Sequence, residues 1–140
     1  MHYYLVIDTN VLVSAALKHH SVPGSIVDLA FDGPVTPVLS TVIENEYREV
    51  LSRPKFHLTQ DIVDDIIHAF QQRGLYLDAE HLEMQLPDPS DLIFYEVVLG
   101  SRKERETYLV TGNIRHFPVR PYVVSPRQML DIILNEWSGE

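Results

Sequence analysis

The chain has 140 residues, 45% of them hydrophobic and 22% charged, a size and balance that suit one globular domain able to close its own core. It contains no cysteine, which excludes disulfides, thiolate nucleophiles and cysteine-ligated zinc, so any metal must be held by oxygen or histidine ligands. Its net charge of −9 on its face argues against nucleic acid as a partner, because Lys and Arg contacts to phosphate dominate that affinity.

In chain order, an apolar strand over 3 to 8 runs into an Asp-Thr-Asn turn and a helix over 10 to 18. A second helix over 24 to 32 closes at Gly33, and a strand follows over 35 to 39. The pattern Thr41-x-x-Glu44 reads as a capping box opening a helix over 42 to 52, which Arg53-Pro54 stops because proline disfavours α geometry at the residue before it. Thr59 caps a helix whose apolar positions Ile62, Ile66, Ile67 and Phe70 recur at helical spacing until Gly74, and a weaker strand lies near 75 to 78. Ser90 opens a helix over 91 to 99 that ends at Gly100; 108 to 111 and 122 to 124 read as buried strands, and Ser125-Pro126 starts a last helix. Strands alternating with helices predict an α/β fold, a three-layer α/β/α sandwich on a mainly parallel sheet. No repeat, low-complexity segment or linker divides the chain, so one domain over 1 to 140 is expected. No stretch reaches the roughly 18 uninterrupted apolar residues of a membrane helix, and no basic region with an apolar signal core begins the chain, so a soluble, cytoplasmic protein is expected.

The acids carry the chemistry. Asp8 falls at the carboxyl end of the first strand, where open α/β sheets keep their sites. Glu46 borders the apolar stripe Ile43, Tyr47, Val50 and Leu51, a costly place for a carboxylate unless something pairs with it, Arg48 or another arginine being the ordinary partner. Asp91 stands in the first turn of its helix, where the dipole favours an acid in any protein, and Asp88 in Pro-Asp-Pro-Ser-Asp can simply make the turn. Glu96 lies about 140° around the helix from Asp91 and reads as solvated or paired. Taken with the Val-Thr-Gly-Asn stretch at 110 to 113, these acids point to a divalent-metal site and phosphodiester cleavage. The seven histidines are scattered, with His19 and His20 at a solvated helix end. Between 101 and 127 the charge reverses: Arg102, Lys103, Arg105, Arg115, Arg120 and Arg127 stand against Glu104 and Glu106, either a solvated surface or a contact for RNA or a partner.

Ile-Asp-Thr-Asn-Val-Leu-Val-Ser-Ala at 7 to 15, Ser-Thr-Val-Ile-Glu-Asn-Glu-Tyr-Arg-Glu-Val-Leu-Ser-Arg-Pro-Lys-Phe at 40 to 56, Asp-Pro-Ser-Asp at 88 to 91 and Leu-Val-Thr-Gly-Asn at 109 to 113 together resemble PIN-domain proteins, over nearly the whole chain. Arg-Pro-Lys-Phe at 53 to 56, His-Phe-Pro at 116 to 118 and Val-Ser-Pro-Arg at 124 to 127 further resemble the branch classed as toxin components of bacterial and archaeal toxin-antitoxin systems. The resemblance implies a five-stranded parallel sheet flanked by helices and a Mg2+- or Mn2+-dependent ribonuclease site. By motif position it implies Asp8, Glu46 and Asp91 as metal-binding acids and Asn10 as an accessory polar group. Asn113 stands in the fourth motif, where the family often has another acid; as a neutral amide it orients a water or ligates weakly. The partners it implies are an RNA substrate, a cognate antitoxin and a second copy in a homodimer.

Independently of that resemblance, a hard divalent cation prefers carboxylate and water oxygens and activates water for attack on phosphate. With no cysteine and no Ser-His-Asp spacing, metal-activated water is favoured over a protein nucleophile. Ser14 and Thr111 are left open between bonding a ligand and bonding backbone. Two other classes stand beside the nuclease: a catalytically weak module acting through protein or RNA binding, and a phosphoryl-transfer enzyme using Asp8 as nucleophile. The second lacks a carboxylate two residues after Asp8 and any Walker or G-x-G-x-x-G loop.

Overall fold

The computed structural model describes residues 2–138, with the side chains of Trp137 and Ser138 outside the description. It has five strands, β1 (Tyr3–Ile7), β2 (Val35–Leu39), β3 (Leu75–Tyr76), β4 (Thr107–Val110) and β5 (Val123–Val124). Its six helices are α1 (Thr9–Leu17), α2 (Val22–Asp32), α3 (Thr41–Leu51), α4 (Gln60–Arg73), α5 (Leu92–Arg102) and α6 (Pro126–Ser138). Every strand pairing is parallel, in the order β3-β2-β1-β4-β5. The direction of winding reverses between β1 and β4, so the sheet has its topological switch point there.

β1 sits at the centre, with Leu5, Val6 and Ile7 fully buried, as a strand covered on both faces must be. α5 packs across β1, β2 and β4, whereas α2 packs on β2 and against α6, which reaches β4 and β5. Helices and sheet thus form the expected α/β/α arrangement.

Several elements begin, end or turn one or two residues from where the sequence pattern puts them. Ser40, not Thr41, caps α3: its Oγ accepts from the Ile43 amide at 3.2 Å, and Thr41 is already helical. Glu44 is therefore no capping-box partner; it accepts from the Tyr76 hydroxyl at 2.6 Å. Thr59 does cap α4, accepting from the Ile62 amide at 3.2 Å, but the buried stripe is Val63, Ile67 and Phe70. Ile62 is 44% exposed because the helix is rotated to seat Phe70 against Tyr47, ring centroids 4.9 Å apart. Asp88, not Ser90, opens the third motif, as cap of the short 3-10 turn Pro89–Asp91 that leads into α5, and α5 runs through Gly100 to Arg102. Gly33 closes α2 in the left-handed region, φ 103°, as a glycine can without strain.

α3 is locked by Tyr47, which is fully buried and donates its hydroxyl proton to the Ile7 carbonyl. That bond ties α3 to the end of β1, one residue before Asp8, and brings the neighbouring Glu46 to the sheet's carboxyl edge.

Candidate functional site

The carboxyl edge at the switch point opens into a cleft of about 560 Å³. Asp8, Glu46, Asp88 and Asp91 line it, together with Asn10, Asn113 and His116. All four residues that the sequence nominated, Asp8, Glu46, Asp91 and Asn113, thus face one space, contributed by β1, α3, the start of α5 and the loop after β4.

Asp8 is 4% exposed and caps α1 without bonding its first turn through the side chain. Its Oδ2 instead accepts from the Thr111 hydroxyl at 2.7 Å and from Asn10 Nδ2 at 3.2 Å. Thr111 follows β4, the strand beside β1, so the switch point itself brings the two together. The Thr111 hydroxyl also accepts from the Asn113 amide at 2.9 Å, and Asn10 Oδ1 accepts from the Gly112 amide at 3.1 Å. Gly112 owes its place to this approach: a Cβ there would lie 3.3 Å from Asn10 Oδ1. Its φ is not in the left-handed region, so conformational freedom is not what the position requires.

Glu46 is half-buried and accepts from the Thr9 hydroxyl at 3.2 Å. Arg48, its expected ordinary partner, turns away to Asp64 at 3.0 Å, and Arg53 at the cleft wall pairs with Glu49 at 2.9 Å. Asp91, 9% exposed, makes no cap bond to α5; its Oδ2 lies 3.1 Å from His116 Nδ1. Asp88 both makes the turn, accepting from the Ser90 amide at 3.0 Å and hydroxyl at 2.8 Å, and lines the cleft. Asn113 is exposed, with no side-chain bond at the start of its 3-10 turn.

Burial pushes the Asp8 carboxyl up to about 6; the Thr111 hydroxyl opposes this, and the negative charges of Asp91 and Glu46 add to it. Burial also raises Asp91, against the pull of His116, with Asp88 adding to the rise. Asp88 is lowered, chiefly by the Ser90 bonds. Among the described residues no Lys or Arg forms an ion pair with any of the four acids. Four carboxylates share one cleft with neutral donors and a single imidazole. This donor set, hard oxygens with one nitrogen, beside an Arg53 that is paired with Glu49 and with none of the four acids, fits a divalent cation.

Glu96 lies elsewhere: it borders a different hollow and is bonded to the Leu82 amide and His81. Half of the basic run is consumed internally, with Arg102 on Glu106, Lys103 on Glu80 and Arg105 on Glu104. Arg115, Arg120 and Arg127 have no carboxylate partner among the described residues. Sequence reasoning missed His116 as a site residue and left Thr111 undecided. His116 was visible only as part of the His-Phe-Pro motif, and Thr111 only as a hydroxyl at a strand end.

No curated protein matches the chain. Among solved structures the chain is similar to one in the complex of VapBC2 from Rickettsia felis bound to a DNA fragment from their promoter, at a TM-score of 0.52 and 18% identity, covering 89% of this chain and 97% of that one. At that identity the likeness bears on the fold. The sequence speaks to descent more directly, since residues 4–115, which carry all four acids and the strands that position them, match the PIN domain family. The chain therefore belongs to the PIN domain family.

Proposed function

We propose that the chain is a divalent-metal-dependent endoribonuclease, with Asp8, Glu46 and Asp91 holding Mg2+ or Mn2+, Asn113 as an accessory group, and water as the nucleophile. The observation that supports it is one cleft lined by four carboxylates, to none of which, among the described residues, a Lys or Arg is paired. Acids buried for structure are hydrogen-bonded or paired by the fold; several acids facing one space are matched by a cation that arrives. A bound divalent ion would polarise the phosphate and lower the pKa of the attacking water. The protein's own part is to hold the carboxylates still: Thr111 and Asn10 fix Asp8, Thr9 fixes Glu46, and His116 fixes Asp91. Such supporting bonds tune affinity as much as the ligands do. Arg53 on the cleft wall and Arg115, beside Asn113, offer guanidinium groups for the phosphates of RNA.

The biological setting that goes with this reading is the toxin of a toxin-antitoxin pair, acting in the cytoplasm, with a cognate antitoxin and a homodimer as its assemblies. Its support is the sequence resemblance to that branch, alongside a fold shared with the Rickettsia felis VapBC2 complex.

The test is a fluorogenic single-stranded RNA incubated with the protein and Mn2+ or Mg2+. Cleavage is expected, is abolished by EDTA, and falls by more than about a hundredfold in Asp8→Asn. Cleavage that survives chelation, or wild-type rates in Asp8→Asn, overturns the metal mechanism. Absence of cleavage in the metal-loaded wild type favours a binding module instead.

A further inference from the structure

Within the cleft, the ligand atoms of Asp88, Asp91 and His116 all lie within 4.8 Å of one another. We propose that His116 is a ligand that sets metal specificity: its imidazole joins Asp88 and Asp91 on the divalent ion and biases the site toward Mn2+ over Mg2+. The inference rests on the nuclease reading above and goes further: Asp91 is common to both sets, and Asp88 and the His116 nitrogen join the Asp8, Glu46 and Asp91 oxygens of that reading.

Three observations lead to it. First, His116 Nδ1 stands 3.1 Å from Asp91 Oδ2. Adjacent ligands of an octahedral ion with bonds of about 2.1 Å are about 3.0 Å apart, so the pair already has the spacing of one edge of a coordination shell. Second, a hydrogen bond from His116 to Asp91 leaves Asp88 beside them with, among the described residues, only the neutral donors of Ser90. One imidazole does not answer two carboxylates, whereas a divalent ion bound to all three does. Third, His116 has room to adjust. Its side chain is 39% exposed on the short 3-10 turn Ile114–His116, while Asp91, at 13%, is held by the fold. The ring can therefore approach an ion seated on the acids without disturbing the core.

The chemistry then decides the metal. Mg2+ demands oxygen ligands and keeps its waters, so an imidazole in the shell contributes little to it. Imidazole favours the later first-row ions, and Mn2+ is the hardest of these, tolerating carboxylate oxygen and nitrogen together. A cleft of four carboxylates and one histidine suits it better than it suits Mg2+.

Metal-free wild-type protein, His116→Gln and His116→Ala are titrated calorimetrically with Mn2+ and with Mg2+, and the Mn2+ forms are examined by pulsed electron paramagnetic resonance. The expected wild-type spectrum shows nitrogen-14 coupling from a directly bound imidazole, absent from both variants. The preference for Mn2+ over Mg2+ is expected to fall by about tenfold in the variants, with Mg2+ affinity little changed. Mn2+ bound without nitrogen coupling, and an unchanged preference in the variants, would overturn the inference: His116 would then only orient Asp91, and the nuclease reading would stand. Failure of the wild type to bind either metal would overturn both. The wild-type spectrum alone decides the point even if a variant folds poorly, which a thermal melt of each reveals.

Discussion

Two acids five residues apart, Asp91 at the cap of α5 and Glu96 midway along it, leave water and are treated in opposite ways. The Glu96 side chain is 11% exposed, and it is answered in full by the fold: the Leu82 amide donates to it at 2.7 Å and His81 lies at 2.8 Å. Asp91 is exposed to a similar degree, 13%, yet it shares its space with Asp8, Glu46 and Asp88 and meets one imidazole. Asp8 is the extreme case, with hydroxyl and amide donors that orient it without neutralising it. Burial of a carboxylate is common to both regions and says little by itself. What separates a structural acid from a candidate ligand is whether it has donors of its own: Glu96 has an amide and an imidazole to itself, whereas Asp91 meets its imidazole in a cleft that three other carboxylates also line.

The largest break of this comparison is in stability against pH. Asp8 holds its proton up to about 6 in the folded chain, against 3.8 for an ordinary carboxyl. The folded state therefore binds more protons than the unfolded state in that interval, so stability falls as pH rises from about 4 to about 6. The stability contributed by neutral Asp8 is complete below the lower value and gone above the upper one. At 1.4 kcal/mol per pH unit the loss is about 3 kcal/mol, and Asp91, also raised, adds in the same direction. Denaturant unfolding of the metal-free protein and of Asp8→Asn across pH 4 to 7 measures it. The variant is expected to be no more stable at pH 4 and about 3 kcal/mol more stable at pH 7. Saturating Mn2+ at pH 7 is expected to stabilise the wild type by about 3 kcal/mol at a hundredfold excess over Kd, and Asp8→Asn much less. Parallel pH curves for the two proteins would mean that something in the fold already compensates Asp8.

At Glu96, midway along α5, the effect is smaller and of a different kind. Glu96→Gln keeps an acceptor for the Leu82 amide and loses only the pairing with His81, which is 73% exposed. The expected cost is about 1 kcal/mol by denaturant unfolding, since an ion pair with one exposed partner is weak. Mn2+ affinity and RNA cleavage are expected to be unchanged. A shift in Mn2+ affinity in this variant would show that Glu96 is coupled to the cleft at the start of α5.

Local pattern carried the sequence reading where neighbours along the chain decide the structure. An apolar run ending in Asp-Thr-Asn is enough to put Asp8 at a strand end, and a carboxylate beside the stripe Ile43, Tyr47, Val50 and Leu51 is enough to mark Glu46, because all four of those residues are buried. Adjacent candidates defeat it: Ser40 and Thr41 both suit a cap, and only the backbone shows that Ser40 is the one outside the helix. Long-range partners defeat it more thoroughly. Thr111 meets Asp8 across 103 residues and His116 meets Asp91 across 25, contacts created by strand order and by a loop crossing the helix start. Charge counts fail for the same reason. In sequence the run from Arg102 to Arg127 stays open between a solvated surface and a contact for RNA or a partner; in the structure Lys103 reaches back to Glu80, and Arg102 folds onto Glu106.

Asn113 gives the finest test, because it lies on the boundary between the two kinds of region. It lines the cleft, but the bond that holds it is its backbone amide on the Thr111 hydroxyl, which any residue would keep. Asn113→Ala thus leaves the Asp8–Thr111 contact in place and removes only a neutral amide from the cleft. Its expected cost is about threefold in RNA cleavage with Mn2+ affinity unchanged, the size of one neutral hydrogen bond. Asn113→Asp adds a fifth carboxylate to the cleft. In the metal-free protein this deepens the repulsion, and with Mn2+ present it supplies a charged oxygen, so affinity is expected to rise by about tenfold. Calorimetric titration and the fluorogenic RNA assay on both variants decide between a site residue and a turn residue. Unchanged Mn2+ affinity in Asn113→Asp, together with wild-type cleavage in Asn113→Ala, would place Asn113 with Glu96 among residues that serve the fold.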